Sequence, residues 1–143
     1  DRGSYTYYKE LVLKHIRKQI ILFLVLAGIV SAQTIELNGK KVNIPRAEVV
    51  LEVSGLVCSF CAIGLQGGLS SLQHSDKKKY NDGVFVDVKY QYAVIAEAAD
   101  KDIDIEKAIA MIVKSGYEVK TVFTNRTGEK IETRKIERKK DEK

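Results

Sequence analysis

The chain has 143 residues, 45% of them hydrophobic and 30% charged, with ten glycines, one proline and no tryptophan. This is the make-up of one ordinary globular domain with appendages, and it excludes collagen-like, mucin-like and low-complexity character. The formal net charge of +5 does not mark a nucleic-acid binder, because the surplus sits at the two ends. Residues 1–32 carry five basic and two acidic side chains, residues 125–143 eight and five, and residues 33–124 eleven and twelve. A nearly neutral central portion offers no basic face, so nucleic acid is not an expected partner.

In chain order, Lys14, Arg17 and Lys18 precede the apolar run Ile20 to Val30, and Ser31-Ala32-Gln33 follows. A basic region, an apolar region of about a dozen residues and small residues after it make residues 1–32 a leader with a secretory signal peptide. Cleavage is expected after Ala32, with Gln33 as the mature start and a periplasmic or secreted protein as the result. The run is short against the roughly 20 apolar residues of a membrane span; an uncleaved N-terminal anchor is the alternative. No cysteine stands at the junction, so lipid attachment there is not expected.

Residues 33–47 form a linker or a small hairpin, because Asn38-Gly39 separates two short extended runs and Pro45 closes the stretch. The domain proper spans residues 48–124. Val49, Leu51 and Val53 alternate with Glu48 and Glu52 as a half-buried strand, and Gly55 breaks it. Leu65, Leu69 and Leu72 then recur at helical spacing, predicting a helix from about Cys61. Gly64, Gly67 and Gly68 each weaken it by up to about 1 kcal/mol relative to alanine. Residues 73–83 are polar and turn-rich. Val84, Val86, Val88 and Tyr90 face one way along a second strand, and residues 93–98 are its hairpin partner.

A second helix is expected from Asp104 to Ser115, with an apolar stripe of Ile105, Ala108, Ile109, Ile112 and Val113. Asp102 or Asp104 can cap its start and Gly116 can end it. Tyr117 to Phe123 is the last strand, and residues 125–143 read as a charged, flexible tail. The resulting order is an α+β, ferredoxin-like βαββαβ fold: a four-stranded antiparallel sheet with two helices on one face.

Both cysteines of the chain, Cys58 and Cys61, lie in "GLVCSFC". In an oxidising compartment a disulfide between them closes too small a loop to stabilise much. Thiolates are soft ligands suited to Cu(I), and Hg(II) accepts two of them in a near-linear arrangement. Structural zinc takes four ligands, whereas the chain offers two cysteines and His74, with His15 in the leader. Cys61 falls near a helix N-terminus, where peptide dipoles favour a thiolate. An extracytoplasmic thiol–disulfide redox module is the alternative use of the same pair. Against it, the single proline, Pro45, lies upstream of both cysteines, where it cannot serve as the downstream cis-proline of thioredoxin-like sites.

The Gly-x-x-Cys-x-x-Cys after the first strand, the leucines at 65, 69 and 72, and "SGYEV" (Ser115 to Val119) entering the last strand carry a resemblance. Residues 48–124 resemble the heavy-metal-associated domain family, which includes copper chaperones, metal-binding modules of copper-transporting ATPases and periplasmic mercury-binding proteins. The resemblance implies Cys58 and Cys61 as ligands of one Cu(I) or Hg(II) ion per domain, with Tyr117 beside the metal loop. It also implies a membrane metal transporter or metal-transporting ATPase as partner, and a monomer. Three features depart from the family. Leu56 stands where methionine is usual, the first helix is glycine-rich, and the 73–83 connection is longer than the family's short turn.

Other candidates have plainer readings. His74 with Asp76 and Asp82 reads as a solvated loop before a second metal site, and Lys77 to Lys79 as a soluble face. Tyr80, Tyr90 and Tyr92 read as sheet and rim residues. Asn125-Arg126-Thr127 fits a glycosylation sequon. No nucleophile–base pair, phosphate loop or paired carboxylates stand in a convincing frame, so neither an enzyme nor a small-molecule substrate is expected.

Overall fold

The computed structural model describes residues 2–26 and 33–137. The chain divides into two compact units, Asp1–Ala32 and Gln33–Lys143. The first contains one helix, α1 (Arg2–Leu26). Among the described residues no helix is long and apolar enough to cross a membrane. The end of the predicted apolar run and the expected cleavage point at Ala32 lie outside the described residues.

The second unit opens with a hairpin of β1 (Thr34–Leu37) and β2 (Lys40–Asn43). Asn38 and Gly39 both take positive φ, 49° and 84°, as a tight two-residue hairpin turn requires. Then follow β3 (Glu48–Ser54), α2 (Ser59–Ser70), β4 (Val84–Asp87), β5 (Tyr92–Ala96), α3 (Ile105–Lys114), β6 (Glu118–Thr124) and β7 (Glu132–Lys135). The last five strands form one sheet in the order β4-β5-β3-β6-β7, with every neighbouring pair antiparallel.

The sheet is covered on both faces. Val49, Leu51 and Val53 of the central strand β3 join Leu65 and Leu69 of α2, Ala108 and Ile112 of α3, and Ile95 and Val122 in one core. Val50, pointing the other way, packs with Leu37, Val42 and Ile44 from the hairpin and with Val94 and Phe123. The hairpin is thus a third layer of the same unit. The 73–83 connection covers Glu48, which a half-buried strand would have left facing solvent. Glu48 is buried; Tyr80 donates to its carboxylate at 2.8 Å, and Lys79 lies 3.9 Å away. Burial pushes the Glu48 carboxyl above its ordinary range.

The expected four-stranded sheet has a fifth strand, drawn from the stretch expected to be a flexible tail. β7 pairs with β6 from Thr121↔Lys135 to Thr124↔Glu132, and Ile136 packs against the helix-side core. Arg134 reaches Glu106 of α3 at 2.6 Å, and Arg126 pairs with the buried Glu97 at 3.1 Å. All four β7 side chains are exposed. The strand therefore rests on backbone hydrogen bonds, and no apolar alternation announces it. Strand β4 also stops earlier than expected, at Asp87. Val86 and Val88 pack on the helix side, while Tyr90, in the turn to β5, joins the hairpin side.

Candidate metal centre

Strand β3 delivers the cysteine loop. Gly55 follows it at φ +98°, a conformation that any side chain would strain, and the Tyr117 ring packs against it. Leu56 then drops into the helix-side core, where its 3% exposure makes it an anchor for the loop. Cys58 is extended (φ −151°, ψ 159°) and is the N-cap of α2, its Sγ accepting a hydrogen bond from the Cys61 N–H at 3.3 Å. Serine, threonine or an acidic or amide side chain ordinarily does this. Here a thiol holds the place, and the cap ties the two cysteines to one helix turn. Both are free and half-buried.

The surroundings favour a thiolate at Cys61. Its thiol is held below the ordinary value, first by the hydrogen bond with the Cys58 side chain and next by that with the Tyr117 hydroxyl. Backbone N–H groups of Val57 and Cys58 add to this, and desolvation opposes it. The same bond pushes the Tyr117 phenol up. Tyr117 is therefore beside the loop, as the resemblance implies, and touches the second cysteine.

Gln91 is a residue to which the sequence assigned no role. It lies in the turn between β4 and β5, and its side-chain oxygen accepts from the N–H groups of Gly55 and Leu56, both at 3.1 Å. Its amide nitrogen donates to the carbonyls of Leu56 at 2.6 Å and Val88 at 2.5 Å. A polar residue in a predicted turn gives no sign of such a contact.

The rim of the site is apolar. Val57 is 83% exposed, Phe60 85% and Ile63 63%, and α2 contains no charged residue. The two thiols therefore sit on a loop bordered by uncharged, exposed side chains.

The remaining candidates stand elsewhere. His74 follows the far end of α2, which at 1.5 Å per residue is roughly 18 Å from the cysteine end. Its ring bonds the Asp102 carbonyl at 2.9 Å. Among the described residues no group of three or more His, Cys, Asp and Glu is placed to hold a metal, so His74, Asp76 and Asp82 do not assemble one. Tyr90 and Tyr92 flank the Lys40 ammonium at 4.9 and 5.2 Å, and that ammonium also pairs with Asp87 at 2.9 Å. The sequon asparagine, Asn125, is fully buried and donates to the Ile44 carbonyl at 2.8 Å and to Gln33. In the folded protein it is out of reach of a glycosylating enzyme.

No family model matches the chain, and no curated protein is similar to it. Solved structures similar to it include the following two. A CopZ metallochaperone shares 17% identity at a TM-score of 0.43, the match covering 50% of this chain and 97% of that one. The yeast copper transporter domain Ccc2A shares 19% identity at a TM-score of 0.42, covering 50% and 89% respectively. One neighbour is a metallochaperone, the other a copper transporter domain.

Proposed function

We propose that this chain captures one soft metal ion, Cu(I) or Hg(II), between Cys58 and Cys61 and passes it to a membrane metal transporter or metal-transporting ATPase. The observation that carries the reading is the pair itself: two free thiols on one helix N-terminus, Cys58 capping the Cys61 N–H, on a loop with an exposed rim. Soft thiolates select soft ions, and two ligands leave the ion exchangeable. The signal-like pattern of residues 14–33 supports export, with Gln33 as the mature start, and the second compact unit begins at that residue.

Titrating the reduced protein with Cu(I) and Hg(II) against competing chelators tests the reading. One ion per chain, lost when the thiols are oxidised to a disulfide, is the expected result; no stoichiometric uptake by the thiols would overturn it. The lowered Cys61 thiol also fits the alternative, an extracytoplasmic thiol–disulfide module. Turnover in an insulin-reduction assay together with feeble metal binding would favour that alternative. Sequencing the N-terminus of the protein recovered outside the inner membrane tests export, and an intact stretch from Lys14 to Ala32 would instead indicate an anchor.

A further inference from the structure

We infer that Gln91 is the positioning residue of the metal loop, the side chain that fixes where Cys58 and Cys61 are presented. The inference rests on the metal-binding reading above. Leu56 is buried, so its N–H and C=O need partners inside the protein. Gln91 satisfies both, with Oε1 accepting from the N–H at 3.1 Å and Nε2 donating to the C=O at 2.6 Å, while Oε1 also takes the Gly55 N–H. The backbone carbonyl of Gln91 accepts from Val53 N–H at 2.9 Å, so one residue grips the end of β3 and the start of the loop together.

Three of the side chain's four bonds cross 35 or 36 positions of sequence to the residues just before the thiols. The fourth, to Val88, locks the side chain to its own turn. Only an amide can accept two N–H groups with one end and donate to two carbonyls with the other. The backbone makes the same point. Gln91 sits at φ +56°, where glycine is the default choice, and yet carries a long side chain. Only Val57 separates Leu56 from Cys58, so the grip on Leu56 reaches the first thiol through a single intervening residue.

The test uses the full chain with Cu(I) as probe. Gln91→Gly removes all four side-chain bonds and suits the positive φ. Gln91→Glu keeps the two accepted bonds and sets a carboxylate oxygen against the two carbonyls that the amide nitrogen served. Outer-shell partners of metal ligands are worth about 10- to 100-fold in affinity, and Gln91→Gly should weaken Cu(I) binding by that order and speed amide exchange at Gly55 and Leu56. Gln91→Glu should also weaken Cu(I) binding and speed exchange at the same amides. The core variant Ile112→Val should lower the unfolding midpoint and leave Cu(I) affinity unchanged.

Wild-type affinity in Gln91→Gly would overturn the positioning role, as would an affinity loss that Ile112→Val reproduces. If the glycine variant does not fold, Gln91→Glu decides the question on the same two readouts. A wild-type chain that takes up neither Cu(I) nor Hg(II) would overturn the parent reading and the inference with it, whereas failure of the inference alone leaves wild-type uptake intact.

Discussion

Helices α2 and α3 pack against the same sheet face and share one core, yet they are built on different rules. Helix α3 follows every local rule. Asp104 caps it by accepting from Lys107 N–H at 3.1 Å, Glu106 stands in its first turn and Lys114 in its last, and Gly116 leaves it at φ +89°. Helix α2 is capped by a thiol, has no acidic residue in its first turn and no basic one in its last, and carries three glycines. A Cβ added at Gly64, Gly67 or Gly68 would meet nothing within 4 Å, so the chain's own packing does not demand them. Helix α2 is held by Leu65 and Leu69 in the core, and its N-terminus is given over to chemistry. Departures from local rules gather where function is proposed.

The largest expected effect separates the two N-caps. Cys58→Ser or Cys61→Ser should lower Cu(I) affinity by more than the roughly 100-fold that outer-shell losses cost, read by chelator competition. Serine is a good cap, so Cys58→Ser should leave apo stability nearly unchanged. An equal fall in thermal midpoint and affinity would mean that the cysteine is structural. Next come the buried anchors. Leu69→Ala and Ile112→Ala should each cost about 2–5 kcal/mol in denaturant unfolding. Amide exchange should show α2 losing protection in Leu69→Ala before α3 does in Ile112→Ala, because α2 lacks local support. The opposite order would break the comparison.

At a smaller scale, Asp104→Ala should cost about 1 kcal/mol, while Gly67→Ala should stabilise by up to about 1 kcal/mol. A destabilising Gly67→Ala would show that the open face of α2 is needed by the fold after all. The smallest effect is electrostatic. Tyr117→Phe removes a hydrogen bond that lowers the Cys61 thiol, so its titration should move up and its alkylation rate at neutral pH should fall. An unchanged rate–pH profile would remove Tyr117 from the site.

The same contrast governs what could be read from the sequence. Helix α3, strands β3 and β6 and the Asn38-Gly39 turn were legible because capping residues, alternation and turn chemistry are local signals. The cysteine pair stood out in the sequence, and Cys58 as a cap did not, because cysteine is not a residue one looks for there. Strand β7 escaped because its side chains are all exposed and its bonds are backbone bonds. Burial of Glu48 escaped because alternation separates two faces of a strand without saying that Lys79 and Tyr80 come back to cover this end of it. Gln91 escaped because its partners lie 35 positions away.

The seam at Asn125 also bears on the order in which the chain closes. Asn125 donates to the Ile44 carbonyl 81 positions earlier, and Gln33 reaches across 95 positions to the Gly128 carbonyl. The hairpin layer is therefore fastened in part by residues that follow both helices in the chain, and contacts of such long separation form late because their loop-closure entropy is met before they return any stability. A chain halted at residue 124 can assemble both helices and the central strands and can pair Lys40 with Asp87, but it lacks the Asn125 and Gly128 bonds that also fasten the hairpin over Val50, Val94 and Phe123. The apolar underside of the sheet is less firmly covered until residues 125–128 arrive, a period in which the chain is more exposed to self-association and to proteases.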